Sequence, residues 1–262
     1  MIKPFQIVFA AVLLLAPPSG AVLAGEEESL SKQQIEEIIR NYILENPEII
    51  TQAVLILRER EEQRTREAVQ LALADNHDLL FNDELSIVVG NPEGDVTLVE
   101  FYDYRCSFCR QSHGAVMQML EEDKNLRLVL KQFPVKDQPG EVPVSLISAR
   151  LAMAAEKQGL FLPFHDAMFL AEPPLTERKV YAIAKEVGLD LERLEKDMRE
   201  PAFTEHLRQT LTLASEIGAT GTPTFVIGGY VISSMLDAEI LRQIIGLTRE
   251  VQAAQATENA SD

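Results

Sequence analysis

Cysteine is scarce in this sequence: the 262 residues contain only two, Cys106 and Cys109, separated by two residues. With 46% hydrophobic residues, a chain of this length can bury a core without disulfide crosslinks. The pair is therefore not expected to be a structural disulfide. A closed structural zinc site needs four Cys or His ligands. With no second cysteine pair and only four histidines in the chain, we do not expect one.

Basic residues are also few. The chain has 24 Lys and Arg residues against 41 Asp and Glu residues, which gives a formal net charge of −17 at pH 7. Proteins that bind nucleic acid usually neutralise its phosphates with clusters of basic side chains. We therefore expect no nucleic acid among the partners of this protein.

Long apolar runs are absent after the first residues, and residues 1–24 have the three parts of a secretory signal peptide. Lys3 precedes an apolar stretch at 5–16, and small residues lead to Ala24. An uncleaved anchor would need about 18 or more uninterrupted apolar residues, and Pro17–Pro18 interrupts this run. We expect cleavage near Ala24 and export to the periplasm or another compartment that permits disulfides.

Residues 25–81 are predicted to form an N-terminal helical extension. Ser31 and Gln34 have the spacing of a helix capping box, and Asn46–Pro47 has the pattern that begins a second helix. Apolar residues recur at helical spacing up to Leu57 and then stop. The extension thus has an apolar front followed by a charged stretch.

The apolar front has two interpretations. A short helix that stands alone would leave an apolar stripe in water, so we expect copies of the chain to associate through residues 31–57. The alternative is that the stripe packs against the compact domain of its own chain.

Residues 82–262 are predicted to form a compact α/β domain, with the cysteines at a turn between a strand and a helix. The predicted elements are strands at 86–89 and 96–102, a helix to about Glu122, a strand at 126–131, a helical segment at about 142–215, two strands within 221–232 around a Gly228–Gly229 turn, and a final helix from Asp237 to about Ala254. Residues 256–262 are polar, and we expect a disordered tail there.

The position of the cysteines favours thiol chemistry. A cysteine at a helix N-terminus is stabilised as a thiolate by the free N–H groups and the helix dipole, and the thiolate is the attacking species in disulfide exchange. Cys109, one turn further on, can then resolve a mixed disulfide at Cys106.

Two other sites support this interpretation. Glu100 lies in the apolar run TLVEFY on the strand that leads to the cysteines, so burial is expected to raise its pKa and make it a proton acceptor for Cys109. A solvent-facing Glu100 is the alternative. Thr222–Pro223 opens a late strand, where a cis proline would turn the Thr222 backbone toward a neighbouring chain.

Four segments, FYDYRCSFCRQ, KQFPVKD, FHDAMF and IGATGTPTFVIGG, occur in the order found in thioredoxin-fold proteins of the DsbA family. The sequence resembles that family over about residues 84–250. In addition, IIRNYILENPEII at 38–50 resembles the leader of the ScsC-like and Com1-like branch, some of whose members oligomerise through it.

The resemblance implies a thioredoxin fold with an inserted helical domain. It also implies that Cys106 is the nucleophile, Cys109 the resolving thiol, Glu100 the buried carboxylate and Thr222–Pro223 the cis-proline loop. No cofactor is implied. His165, in the FHDAMF segment, is interpreted as a packing residue rather than a catalytic one.

The residues between the cysteines bear on the direction of the reaction. Strongly oxidising members of the family have a histidine there that stabilises the thiolate, whereas this chain has Ser107–Phe108. Thr222 before the proline resembles the isomerase side of the superfamily. We therefore expect a disulfide isomerase or reductase, and a monomeric dithiol oxidase of the DsbA type is the alternative.

The expected partners are client proteins with thiols or disulfides and a membrane redox partner that recycles the cysteines. A function of another class is also open: a periplasmic Cu(I) carrier, because two thiolates suit monovalent copper. His113, one helical turn after Cys109, makes a Cys, Cys, His ligand set geometrically possible.

Overall fold

The computed structural model describes residues 30–259 and divides the chain into two compact units, one ending at Arg58 and the other beginning at Glu59. The predicted signal peptide lies outside the described residues. Among the described residues, no helix combines the length and the apolar character that crossing a membrane would require.

The first unit contains helix α1 (Lys32–Glu45) and the start of α2 (Glu48–Asp75). The predicted capping box is present, because the Ser31 hydroxyl accepts from the Gln34 N–H and the Gln34 side chain accepts from the Ser31 N–H. None of the residues of α1 is buried.

The second unit contains a five-stranded sheet with strand order β1-β3-β2-β4-β5. Strands β2 and β3 are parallel, and the other three pairings are antiparallel. The strands are β1 (Ile87–Gly90), β2 (Val96–Tyr102), β3 (Leu126–Gln132), β4 (Thr224–Ile227) and β5 (Tyr230–Ile232). The turn between β4 and β5 uses Gly228 and Gly229, both with positive φ, as a two-residue hairpin requires.

Helices surround this sheet, and five of them form the predicted insertion between β3 and β4. Besides the remainder of α2, the helices of the second unit are α3 (His77–Phe81), α4 (Ser107–Glu122), α5 (Val144–Glu156), α6 (Phe161–Leu170), α7 (Glu177–Glu186), α8 (Leu191–Asp197), α9 (Pro201–Glu216) and α10 (Ala238–Asn259). The expected mixed α/β class with a helical insertion is confirmed.

Strand β2 is buried on both faces. Alternate residues of a strand point to opposite sides of the sheet, and here both sets are covered. Leu98 and Tyr102 belong to the larger hydrophobic core, which also contains both cysteines. Val99 and Phe101 belong to a smaller core on the other face. A central strand that is covered on both sides explains why TLVEFY reads as an almost continuous apolar run.

Leu73 and Leu80 lie within the extension predicted at 25–81, and both are buried in the smaller core beside Phe101. A helix can be charged in one stretch and contribute to a core in the next, and the sequence pattern did not separate the two. At the other end, α10 continues to Asn259, so part of the expected tail at 256–262 is helical.

Candidate active site around Cys106 and Cys109

The turn after β2 places Cys106 at the N-terminal cap of α4. Its backbone is extended, with φ −79° and ψ 121°, and its N–H donates to the Asp103 carbonyl at 3.0 Å. Cys109 lies in the first turn of the helix. Both cysteines are free thiols and both are buried. The predicted arrangement of the pair is therefore present.

The loop before β4 reaches the same place from a distant part of the chain. The Thr222–Pro223 peptide bond is cis. The Cys106 Sγ lies 3.0 Å from the Thr222 carbonyl oxygen, to which it donates a hydrogen bond when it is protonated. This contact exists because β4 pairs with β2, with Phe225 opposite Glu100.

The pKa values of the two thiols are shifted in opposite directions. A hydrogen bond from the Cys109 thiol lowers the pKa of Cys106 to about 5, against the effect of burial, with further help from backbone N–H groups of the first helical turn. Burial raises the pKa of Cys109 well above its usual range, as do its hydrogen bond to Cys106 and the nearby Glu100 carboxylate. At neutral pH the pair therefore holds one proton, on Cys109.

Glu100 is buried, with 3% of its surface exposed, and the expectation that it faces the core is confirmed. Burial raises its pKa to about 8, and the negative charge on Cys106 raises it further in the same direction. Glu100 pairs with Leu130 on β3, and both lie on the face of the sheet that carries the cysteines. A carboxyl group that titrates near neutral pH is suited to accept and return a proton there.

His165 is buried in an aromatic cluster on α6. Its Nδ1 lies 3.0 Å from the Tyr104 hydroxyl, and its ring packs against Phe161 and Phe169. Burial holds its pKa well below the usual range, so the ring is neutral at physiological pH. These contacts agree with the interpretation of His165 as a packing residue.

The geometry gives no support to a metal set that includes His113. Its Nε2 lies 3.0 Å from the Asp166 carboxylate, and its ring packs against Phe169. Within residues 30–259 no group of three or more His, Cys, Asp or Glu side chains is arranged to hold a metal ion.

Sequence reasoning missed Asp103, which is 3% exposed and lies three residues before Cys106. Its carboxylate accepts hydrogen bonds from Arg105 N and Ser145 Oγ at 2.8 and 2.9 Å. The available signal was a charged residue directly after the buried run TLVEFY, but its partners come from segments about 30 and 40 residues away that only the fold brings together.

Comparison with known proteins agrees with this geometry. Residues 97–246 match the DSBA-like thioredoxin domain, and residues 32–64 match the N-terminal domain of the copper resistance protein ScsC. The chain belongs to the DSBA-like thioredoxin family. It is by class a thiol-disulfide oxidoreductase.

Solved structures of this family share the fold. A thioredoxin-like oxidoreductase from Silicibacter pomeroyi DSS-3 is 39% identical, with a TM-score of 0.63, and the match covers 67% of this chain and 98% of that one. A periplasmic thioredoxin-like protein from Salmonella enterica serovar Typhimurium is 25% identical, with a TM-score of 0.56, over 66% of this chain and 94% of that one.

One curated relative is a much longer protein. The Na(+)/H(+) antiporter NhaA of Herminiimonas arsenicoxydans is 30% identical over 167 residues, which are 63% of this chain but 26% of the antiporter. The chain thus spans about a quarter of the length of that relative. Because the match covers so small a share of the antiporter, antiporter activity is not transferred to this chain.

Proposed function

We propose that this protein exchanges disulfides in client proteins through Cys106 and Cys109. The observation that carries the proposal is the position of the pair: Cys106 caps α4 beside the Thr222 carbonyl, and Cys109 lies one turn later. The lowered pKa of Cys106 and the raised pKa of Cys109, the split acidity of the pair, agree with this arrangement. Because thiolates rather than thiols attack disulfides, these features support Cys106 as the nucleophile and Cys109 as the resolving thiol.

In the reducing direction, the Cys106 thiolate attacks one sulfur of a client disulfide, and the other client sulfur leaves as a thiolate. Formation of the mixed disulfide removes the Cys106 charge that helps raise the pKa of Glu100, so the ionised carboxylate of Glu100 becomes more available. Cys109 then loses its proton to this carboxylate and attacks the Cys106 sulfur, which releases the second client sulfur and leaves a Cys106–Cys109 disulfide. The two electrons lost by the pair are those gained by the client. A membrane redox partner would return them, and the same steps in reverse oxidise a client.

The Thr222 carbonyl beside Cys106 supports a role for Thr222–Pro223 in client binding. This backbone lies at the start of β4, next to the sulfur that a client must reach. An extended client segment could pair with such a backbone edge as an added strand. Main-chain pairing would place the client disulfide at Cys106 with little dependence on client sequence.

The same features favour isomerisation or reduction over strong oxidation. Ser107–Phe108 brings no positive charge to the thiolate, so the lowered pKa of Cys106 depends on hydrogen bonds, the largest of them from Cys109. A less stabilised thiolate makes the disulfide a weaker oxidant. The alternative, a monomeric DsbA-type oxidase, would use the same residues.

Self-association through residues 31–57 also forms part of the proposal. The large apolar side chains of this segment are mostly 44–69% exposed: Ile35, Ile38, Ile39, Tyr42, Leu44, Ile50, Val54, Leu55, Ile56 and Leu57. So many exposed apolar residues on two consecutive helices are unfavourable in water unless they are covered. A second copy of the segment offers a matching apolar surface, and several sites on one assembly would suit isomerisation.

We also propose that the protein is periplasmic. The predicted signal peptide and the match to ScsC, together with the periplasmic Salmonella relative, support export. The periplasm permits disulfides and contains the proteins that would be its clients.

The test of activity gives the mature protein a test substrate in two forms, scrambled with wrong disulfides or fully reduced. Recovery mainly from the scrambled form supports an isomerase, and recovery only from the reduced form supports the oxidase. Cys109→Ser should trap clients as mixed disulfides at Cys106. No exchange and no trapped client, with tight Cu(I) binding by the wild-type pair, would identify a copper carrier instead.

The test of assembly compares Ile39→Glu with Gln33→Glu, which introduces the same side chain at an exposed polar position of α1. Light scattering should show a multimer for the wild type and for Gln33→Glu, and a smaller species for Ile39→Glu. A monomeric wild type would refute self-association and leave the exchange activity unaffected.

A further inference from the structure

The Asp103 carboxylate joins three segments that meet at the redox site. Its oxygens accept from the backbone N–H of Arg105 at 2.8 Å, from Val135 N and Lys136 N at 2.8 and 3.0 Å, and from Ser145 Oγ at 2.9 Å. These donors belong to the turn before Cys106, the loop after β3 and the first turn of α5. One buried side chain therefore satisfies four donors, three of them backbone groups.

The backbone of Asp103 contacts both cysteines. Its carbonyl accepts from Cys106 N at 3.0 Å, and its N–H approaches the Cys109 sulfur, where it favours the thiolate form. The bond from Arg105 N to the Asp103 side chain closes an Asx turn, which sets the direction of the chain into α4. Movement of this one residue would therefore displace both sulfurs.

A second carboxylate extends the connection to the inserted helices. Asp137 accepts from the Arg105 guanidinium at 2.9 Å and from Ser145 N and Leu146 N at 2.8 and 2.9 Å. Ser145 thus donates its hydroxyl to Asp103 and its N–H to Asp137. The start of α5 and the turn that carries Cys106 are held together by two acids rather than by apolar contact alone.

We propose that Asp103 is a positioning residue of the redox site: its carboxylate holds the turn that places Cys106 at the N-terminus of α4 and ties that turn to the first helix of the insertion. Asp103 does not touch the reacting sulfurs with its side chain, so it acts through the backbone geometry of Cys106 and Cys109. This deepens the proposed function, because it identifies what maintains the split acidity of the pair.

The consequence is measurable on the cysteines themselves. In Asp103→Asn, an amide replaces one acceptor oxygen with an NH2 group that faces former donors, so the turn must rearrange. The hydrogen bonds that favour the Cys106 thiolate then weaken. We expect the thiolate titration of Cys106, followed by absorbance at 240 nm, to move up by about one pH unit or more, a tenfold change in proton affinity.

The matched control is Asp83→Asn. Asp83 also links distant segments, through Lys131 Nζ at 3.1 Å and His206 Nδ1 at 3.0 Å. Lys131 lies on β3, on the sheet face that is covered by the smaller core. The cysteines lie on the opposite face. Asp83→Asn should lower stability without moving the titration. If it moves the titration as much as Asp103→Asn does, the effect is general loosening and the proposal is wrong.

A milder pair of variants decides the question if Asp103→Asn does not fold. Ser145→Ala removes one donor to Asp103 and should shift the Cys106 titration in the same direction by less, and Ser145→Thr, which retains the hydroxyl, should restore it. A wild-type titration in Ser145→Ala, or in a folded Asp103→Asn, overturns the proposal.

The titration is independent of the proposed activity. An inactive wild type with a shifted Asp103→Asn titration would refute the exchange function alone. An active wild type with an unshifted variant would refute the role of Asp103 alone.

Discussion

Replacing Glu100 with Gln should remove a pH-dependent loss in the free energy of unfolding. Burial raises the pKa of Glu100 from 4.5 to about 8, and the Cys106 thiolate adds to the rise. Between these two values the folded protein retains a proton that the unfolded chain has released, so stability falls as the pH increases. Below about pH 4.5 neither state has lost the proton and the cost disappears.

The size of this effect follows from the pKa. A rise of about 3.5, at about 1.36 kcal/mol for each pH unit, corresponds to about 5 kcal/mol of stability lost above pH 8 in the wild type. Gln is neutral at every pH and has nearly the shape of protonated Glu. The stability difference between Glu100→Gln and the wild type should therefore increase by about 3 to 4 kcal/mol between pH 5 and pH 8.

The assay is urea unfolding of both reduced proteins across this pH range. Because both contain the same cysteines, the contribution of the Cys106 titration cancels to first order in the difference. A difference that does not change with pH would mean that Glu100 titrates as an exposed carboxylate does, and the assignment of Glu100 as a buried proton acceptor would be refuted. The variant should also resolve mixed disulfides more slowly, since Cys109 would lack its acceptor.

Three further predictions test the site and the domain boundary. Cys109→Ala should raise the pKa of Cys106, because it removes the thiol hydrogen bond that makes the largest contribution to lowering that pKa. Iodoacetamide reactivity against pH would show this rise, and an unchanged midpoint would contradict it. Asp83→Asn should lower the free energy of unfolding by about 3 to 5 kcal/mol, since Lys131 would remain buried without its carboxylate partner. A decrease of less than about 1 kcal/mol would show that the pair is solvated. Leu80→Ala should cost about 2 to 5 kcal/mol, because Leu80 is fully buried; a neutral result would place it outside the core.

Some of the site could be predicted from local sequence. The cysteines follow a strand and begin a helix, and both elements are recognisable from apolar periodicity and length. Glu100 could be predicted to be buried because its neighbours in TLVEFY are apolar on both faces of the strand. The predicted bounds of β2 agree with the structure, since a central strand covered on both sides leaves an uninterrupted signal.

Features of the fold and the site that depend on contacts between distant segments could not be predicted from the sequence. Leu80 lies within the predicted extension, and it is buried in a core together with residues of three strands. Asp103 looked like a loop residue, yet its four hydrogen bonds reach as far as Ser145, and no local pattern records such a bond.

Local sequence is enough to identify the reactive groups of this protein, two thiols one helical turn apart and a carboxylate in an apolar strand, and to predict a helical insertion within an α/β domain. The acidity of those groups and the access to them depend on how distant segments pack. Thr222 reaches Cys106 across 116 residues because β4 pairs with β2, and Glu100 titrates near neutral pH because helices and strands from the whole domain exclude water from it. Local propensity acts over a few residues, whereas burial and hydrogen bonding at a site depend on every segment that packs there.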